Sequence, residues 1–426
     1  MTETILVCTV GGSHQPIVTA INTLRPERVV FICTGADPAT GKAGSLKQVE
    51  GKGLVIKAAP QDDKPTLPNI PAQCGLPDGS WEVAEVSADD LDAAYSVIHQ
   101  ALDGAKRRGR LVADYTGGTK TMTAALVLAA LDVGDVELQT VTGARADLVK
   151  VSNGTQTPVP ATIERIRFRH DMRPPLAAWR RYAWDQADRE LADQGPPRNG
   201  ALRARWQRAR DVSRAFAAWD RFDHVAALEG LNLYAGPVAR ALPDHFQALK
   251  RLADGGDAAS AGLRLWDLWL NAQRRAKDGR YDDAVARVYR LIEWTAQWQL
   301  GAKHGWETGN LPREIAETAG IAPNRDGHYQ AGLFAAWQLA AAHCGDRLSA
   351  FLEAERLAML DNLRRRNDSI LAHGTVPVSA ASWRDWESWM KGKFEPLLRE
   401  LLVEVKIHTP FPQLPDTYPW LEDLWS

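Results

Sequence analysis

A change of character part-way along the chain restricts its fold more than any other feature. Up to about residue 151, short β-branched runs alternate with helix-spaced stretches. From 176 to 407 the chain is dense in Ala, Leu, Arg and Trp at a spacing near 3.6, with hardly any β-branched runs. One hydrophobic core does not serve both patterns, and 426 residues exceed what one core usually supports. The division expected is an α/β unit over 1–152, a polar, proline-bearing linker over 153–175 and an all-α unit over 176–426.

In the first part, the runs 4–10 (TILVCTV), 28–34 (RVVFICT), 81–86 (WEVAEV), 110–116 (RLVADYT) and 136–142 (VELQTVT) read as buried strands, with helices over 14–24, 88–108 and 119–133. That alternation predicts a doubly wound, Rossmann-like parallel sheet. The run 145–151 after Gly143-Ala144 reads as the second strand of a closing hairpin. The Gly-, Pro-, Lys- and Asp-rich stretch 35–80 reads as a ligand-side loop with a short helix near 44–52, or as a plain insertion.

In the second part, helix breaks are expected near Gly195-Pro196-Pro197, Gly236-Pro237, Gly255-Gly256, Gly279, Gly309-Asn310 and Gly374. The tail 408–426 is expected to be non-helical and to dock by its aromatics. FDHVAALEG (222–230) echoes part of GRYDDAVARVYRLIEW (279–294), but the offset of 59 residues is not the ~34 of tetratricopeptide arrays.

A formal charge of -2 argues against a protein that coats nucleic acid with a strongly basic surface. No signal segment opens the chain and no run approaches the ~20 apolar residues of a membrane span, so a cytoplasmic location away from membranes is expected. Cys8, Cys33, Cys74 and Cys344 lack both C-x-x-C spacing and histidines at zinc spacing. They read as buried thiols, and no metal site is expected.

Two strand-to-helix junctions carry ligand-binding chemistry. Gly11-Gly12-Ser13 follows the first strand and places free backbone N–H groups at a helix start, although a tight turn needs glycine with or without a ligand. The block Asp114-Tyr115-Thr116-Gly117-Gly118-Thr119-Lys120-Thr121-Met122 brings two glycines, three threonine hydroxyls and a lysine to a second junction. Such a loop can approach a phosphodiester closely and neutralise it. The plain alternative is a turn with a helix-capping threonine. A Walker loop is excluded because Thr119, not glycine, precedes Lys120, and G-x-G-x-x-G is absent.

GGSHQPI (11–17), DYTGGTKTM (114–122) and TGAR (142–145) resemble the CARF domain, the CRISPR-associated Rossmann fold of type III CRISPR systems. That family binds cyclic oligoadenylates across a dimer twofold. The resemblance implies a pocket lined by Gly12, Ser13, Gln15, Thr34, Thr116, Gly117, Gly118, Thr119, Lys120 and Arg145.

In the helical part, three Arg and His pairs stand five to seven residues apart: Arg165/His170 in the polar linker, Arg240/His245 interrupted by Pro243, and Arg366/His373. The third continues a run free of Gly and Pro from about 346 to Gly374, and seven residues return to nearly the same helix face two turns on, about 10 Å along the axis. Metal-independent RNA cleavage needs proton transfers near neutral pH and a planar cation for the phosphorane, which His and Arg supply. One chain offers one such pair, so a composite site at a homodimer interface is expected. Asn367 is the candidate orienting partner or a structural residue. The plain alternative is a helix-terminal histidine capping carbonyls beside a solvated Arg364-Arg365-Arg366 face.

RRRNDSILAHG (364–374) resembles the R-N-x-x-x-x-A-H form of CARF-HEPN ribonucleases, and YRLIEWTAQ (289–297) resembles an upstream helix of the same family. Residues 176–278 are placed only as extra helices, and Arg290 with Glu293, a turn apart, reads either as a support for the site or, the plainer explanation, as a surface ion pair. The resemblance implies a homodimeric endoribonuclease of single-stranded RNA, activated by cyclic oligoadenylate and free of other cofactors, with Arg366, His373 and Asn367 at the cutting site. The competing expectation is an inert nucleotide sensor whose helical domain binds a protein partner.

Overall fold

The β-branched runs become strands close to their expected positions: β1 (Glu3–Thr9), β2 (Arg28–Thr34), β3 (Trp81–Val86), β4 (Gly109–Asp114) and β5 (Val136–Thr142). The computed structural model describes residues 3–37, 41, 43–51, 67–143, 155–371 and 374–425. The chain divides into two compact units, Met1–His170 and Asp171–Ser426.

In the first unit the strands form one sheet in the order β3-β2-β1-β4-β5-β6, parallel throughout except for β6 (Thr157–Pro160). Its helices are α1 (Gln15–Leu24), the short α2 (Ile70–Cys74), α3 (Leu91–Lys106), α4 (Lys120–Val133) and α5 (Glu164–Asp171). Period-2 alternation sorts the strand residues onto two cores. Ile5, Val7, Val30, Ile32, Leu111 and Ala113 pack with Ala94, Ile98 and Leu102 of α3 and with Met122 and Leu126 of α4. Leu6, Cys8, Val29, Phe31 and Val112 pack with Ile17, Ala20 and Ile21 of α1. The doubly wound expectation holds. After β3 the chain crosses back to β4 on the other side of β1, so the winding reverses between those two strands.

Of the stretch 153–175, expected as a linker, the described residues from 155 on supply β6, α5 and the start of the next helix. Pro158 and Pro160 sit on an edge strand, where a missing N–H removes no ladder bond, so prolines that read as punctuation are compatible with pairing. β6 is the antiparallel partner of β5, with Thr157 opposite Thr142 and Pro160 opposite Gln139. The expected hairpin partner, 145–151, lies outside the described residues.

The second unit runs through α6 (Arg173–Trp179), α7 (Trp184–Gln194), α8 (Gly200–Asp220), α9 (His224–Asn232), α10 (Ala235–Ala241), α11 (Pro243–Asp254), α12 (Ala258–Lys277) and α13 (Tyr281–His304). It continues with α14 (Arg313–Thr318), α15 (Leu333–His343), α16 (Asp346–Asn367), α17 (Ala380–Trp389), α18 (Glu395–Glu404) and α19 (Leu421–Trp425). Gly236-Pro237, expected as a break, lies in the first turn of α10, where proline is tolerated because that N–H has no helical partner.

A buried ionic network ties α8, α9 and α12 together. Arg274, 1% exposed, donates to Asp220 Oδ1 at 2.8 Å and to Asp267 Oδ1 at 3.3 Å. Trp219 Nε1 and His224 Nε2 both lie 3.0 Å from Asp267 Oδ2. The tail docks as expected, although its last residues form α19. Phe411, Leu414 and Tyr418 are buried, and Trp266 Nε1 donates to the Phe411 carbonyl at 2.7 Å. Cys8, Cys33 and Cys344 are buried and Cys74 is half-buried, all as free thiols, with burial pushing Cys33 up to about 12. Among the described residues, no helix is long and apolar enough to cross a membrane.

Candidate functional site

Both candidate ligand loops leave the carboxyl ends of β1 and β4, neighbours in register with Cys8 opposite Asp114. This is where the winding reverses, the place at which open α/β sheets leave a crevice for ligands. The loops pack backbone against backbone. A Cβ on Gly11 would stand 2.5 Å from the Gly118 nitrogen, and one on Gly117 would stand 2.4 Å from the Thr9 carbonyl oxygen. Gly118 has φ +88, a left-handed conformation that favours glycine. Gly12 is different, since a Cβ there would meet nothing within 4 Å. Gly12 and Ser13 are exposed, Gln15 opens α1, and Lys120 is exposed at the first turn of α4. Two helix N-termini, a flexible ammonium and open backbone therefore face one crevice, a setting that favours an anion.

Two of the three threonine hydroxyls have internal partners. Thr119 caps α4 by accepting from the Met122 N–H at 3.2 Å and donates to the Ala88 carbonyl at 2.8 Å. The Thr116 hydroxyl accepts from the Val141 N–H at 2.7 Å. Asp114, 2% exposed, shapes the turn by accepting from the Thr116 N–H at 2.9 Å and from Gln139 Nε2 at 2.9 Å. Burial pushes its carboxyl above the ordinary range, with the Thr116 and Gln139 bonds pulling the other way. Thr34 exchanges hydrogen bonds with Ser45, and the neighbouring Gln48 side chain donates to the Gly11 carbonyl, so the turn Ser45–Gln48 braces the first loop. Ser45, Gln48 and Gln139 had no sequence signal, because only the fold brings them to this edge. Arg145 lies outside the described residues.

In the helical unit, Arg366 is the penultimate residue of α16. Its guanidinium carbon sits 4.1 Å from the ring centroid of Tyr289 on α13, and Nη1 lies 3.2 Å from Asn367 Oδ1. The sequence reading missed Tyr289, although it fell inside a stretch already noted. The expected unbroken helix through to Gly374 does not form, because α16 stops at Asn367. Beyond it the chain folds back: the Gly374 N–H donates to the Ser369 carbonyl at 3.2 Å, and Ser369 bridges to Val376. A Cβ on Gly374 would fall 1.9 Å from the Asp368 carbonyl oxygen, so glycine closes a loop here rather than capping a helix. The seven-residue, same-face argument therefore does not describe this segment. His373 lies outside the described residues.

The histidines of the other two pairs have partners within the fold. Arg165 and His170 share the continuous helix α5, contrary to expectation, and His170 Nε2 lies 3.1 Å from Asp132. His245, on α11, is buried with Nε2 3.0 Å from the Gln413 carbonyl. Arg290 and Glu293 form an ion pair at 2.6 Å, as read.

With this geometry in hand, residues 240–392 match the family model described as the Csm6 HEPN domain. The helical unit contains a Csm6-type HEPN domain. The match begins well upstream of residue 280, so part of what had read as extra helices belongs to it. Over the whole chain, the structure is similar to "Enterococcus italicus Csm6 bound to cyclic hexa-2'-fluoro-hexa-dAMP", with a TM-score of 0.58, 14% identity and coverage of 96% of this chain and 95% of that chain. The α/β unit followed by a HEPN-bearing helical unit is thus the fold of Csm6. A match to Can2 from Sulfobacillus thermosulfidooxidans in complex with cyclic tetra-adenylate covers 45% of this chain and 47% of that chain at 14% identity; its TM-score of 0.25 is too low to carry an argument. No curated protein matches the sequence.

Proposed function

We propose that this Csm6-like protein is a metal-independent endoribonuclease of single-stranded RNA, active as a homodimer and switched on by a cyclic oligoadenylate bound at the switch-point loops of its α/β unit. The observation that carries the reading is the position of Arg366, laid over Tyr289 inside the region matching the Csm6 HEPN domain and next to the loop that leads to His373. In this role the His373 imidazole moves the proton of the attacking 2′-hydroxyl or of the leaving 5′-oxygen. Arg366 faces the charge that grows on the phosphorane, and Asn367 orients it through the contact between their side chains. Attack by the 2′-oxygen on phosphorus expels the 5′-oxygen, leaving a 2′,3′-cyclic phosphate and a 5′-hydroxyl.

Two Arg–His pairs are needed to serve both proton transfers, so a second copy completes the site. Leu357 is 81% exposed, Ile370 56%, Leu371 51% and Val376 65%, which gives that copy an apolar surface around the cutting loop. For the activator, Gly12, Ser13, Gln15 and Lys120 supply open donors and charge, and the Gly117-Gly118 backbone lets a phosphate approach closely. Thr34, Thr116 and Thr119 hold the loops in place, and Arg145 is the further candidate cation. The Enterococcus relative's bound ligand supports this choice of chemistry. The activator acts by binding the cutting arrangement more tightly than the resting one.

The test is incubation of the purified protein with a fluorescent single-stranded RNA in EDTA, with and without cyclic tetra- and hexa-adenylate. Cleavage that needs one of these ligands but no divalent ion is expected. Cleavage that stops in EDTA and returns with magnesium would overturn the reading.

A further inference from the structure

Of the cavities in the helical unit that the cutting reaction leaves unused, two share Tyr182 in their walls. The larger, about 400 Å³, is walled by Tyr182, Tyr281, Trp383, Lys277, Arg384 and Gln413. The smaller, about 200 Å³, sets five arginines (Arg181, Arg189, Arg274, Arg275, Arg280) against three aspartates (Asp185, Asp220, Asp278). At Tyr182 the chain turns with φ 60, a left-handed conformation unusual for a tyrosine. Lys277 Nζ lies 4.7 Å from the centre of its ring.

Aromatic rings beside side-chain amides suit an unpaired base, and arginine forks suit the phosphate next to it. Lys277 is already paired with Asp416, Glu387 with Lys391, and Arg274, Arg275 and Arg280 with Asp220, Asp267 and Asp283, so Arg181, Arg189 and Arg384 are the lining arginines with no carboxylate partner among the described residues. Trp184 and Arg275 line the smaller cavity, and their buried Nε1 and Nε donors have no acceptor; Trp184 is 1% exposed.

The position also fits a substrate. Helix α17, which contributes Trp383 and Arg384, follows directly on the loop after α16, and Arg365 Nη1 reaches Asp385 Oδ2 across that junction at 3.3 Å. On the way, the Val378 N–H donates to the carboxylate of Asp282, the residue after Tyr281, at 3.1 Å.

We propose that the paired cavities about Tyr182 form a subsite for the single-stranded RNA substrate, taking one unpaired base against Tyr182 and Tyr281 and its phosphate among the arginines. The identity of the ligand rests on the ribonuclease reading. Binding is measured by fluorescence anisotropy on the full chain, with and without cyclic tetra- and hexa-adenylate. The probe is a dye-labelled 2′-O-methyl oligonucleotide, whose attacking hydroxyl is blocked. The double variant Arg189→Glu/Arg384→Glu changes two exposed side chains. It is expected to weaken binding about ten-fold or more and to flatten the salt dependence by about 1.4, at about 0.7 per lost single-strand phosphate contact. Tyr281→Leu is expected to weaken it about five-fold or more through lost stacking, while Arg313→Glu, on α14, leaves it unchanged. Wild-type protein that does not bind, or a double variant that binds as wild type does, overturns the subsite. Wild type that binds and responds to the variants, yet leaves unmodified RNA intact, overturns the ribonuclease reading and leaves the subsite standing.

Discussion

Arg366 is positioned by an aromatic face and a neighbouring amide rather than by a carboxylate, which leaves its guanidinium fork open to a phosphate. Lysine has neither the fork nor the planar stack, so Arg366→Lys is expected to slow RNA cleavage about a hundred-fold in a single-turnover assay. His373→Ala is expected to slow it by about 10²–10⁴ while RNA still binds; a nucleotide sensor without cleavage chemistry would not respond to either change. His245 shows how residue type alone misleads. It stands five residues after Arg240, yet it is buried against Gln413, and burial lowers its pKa below the ordinary 6.5. The unfolded chain therefore takes up this proton at a pH where the folded chain does not. The stability His245 contributes is complete above about 6.5 and is lost as pH falls below that value towards the depressed one. His245→Gln keeps an N–H donor for the Gln413 carbonyl, so its melting temperature should fall less than that of wild type between about pH 7.5 and 5.5. Parallel falls would show that this ring is not the titrating group.

At the level of elements, the β1–α1 and β4–α4 junctions use glycine for two separate reasons. Gly117 is fixed by contact with Thr9, whereas Gly12 faces open space. Gly117→Ala should cost about 1–3 kcal/mol by overpacking, read in urea denaturation of the full chain. Gly12→Ala should leave stability unchanged while weakening cyclic oligoadenylate binding in calorimetry. Equal effects of the two on stability would remove the distinction. The strands and helices of this unit were legible because β-branched runs buried on both faces leave few alternatives. The end of α16 was not: the stop signal stands at Gly374, while Asp368 and Ser369, where the helix has already ended, carry none, and the loop closes because Gly374 can sit against the Asp368 carbonyl.

On the scale of the whole molecule, α16 buries few of its side chains within its own unit and leaves Leu357 exposed, and the loop that follows the helix exposes Ile370 and Leu371. If a second copy covers this surface, Leu357→Glu/Ile370→Glu should shift the mass in sedimentation equilibrium from dimer towards monomer and abolish cleavage. A dimer unmoved by both charges would place the interface elsewhere. The sequence by itself determined the order of the two units, the winding of the sheet and the two glycine-bearing strand-to-helix junctions, because periodicity and glycine placement act locally. Only the tertiary structure decided that Thr116 bonds to Val141 and Thr119 to the Ala88 carbonyl, that Gln48 braces the first loop, that Tyr289 carries Arg366, and that Arg274 is buried among Asp220, Asp267 and the docked tail. Each of those contacts joins residues that the chain separates, and their partners follow from three-dimensional packing, which no local pattern encodes.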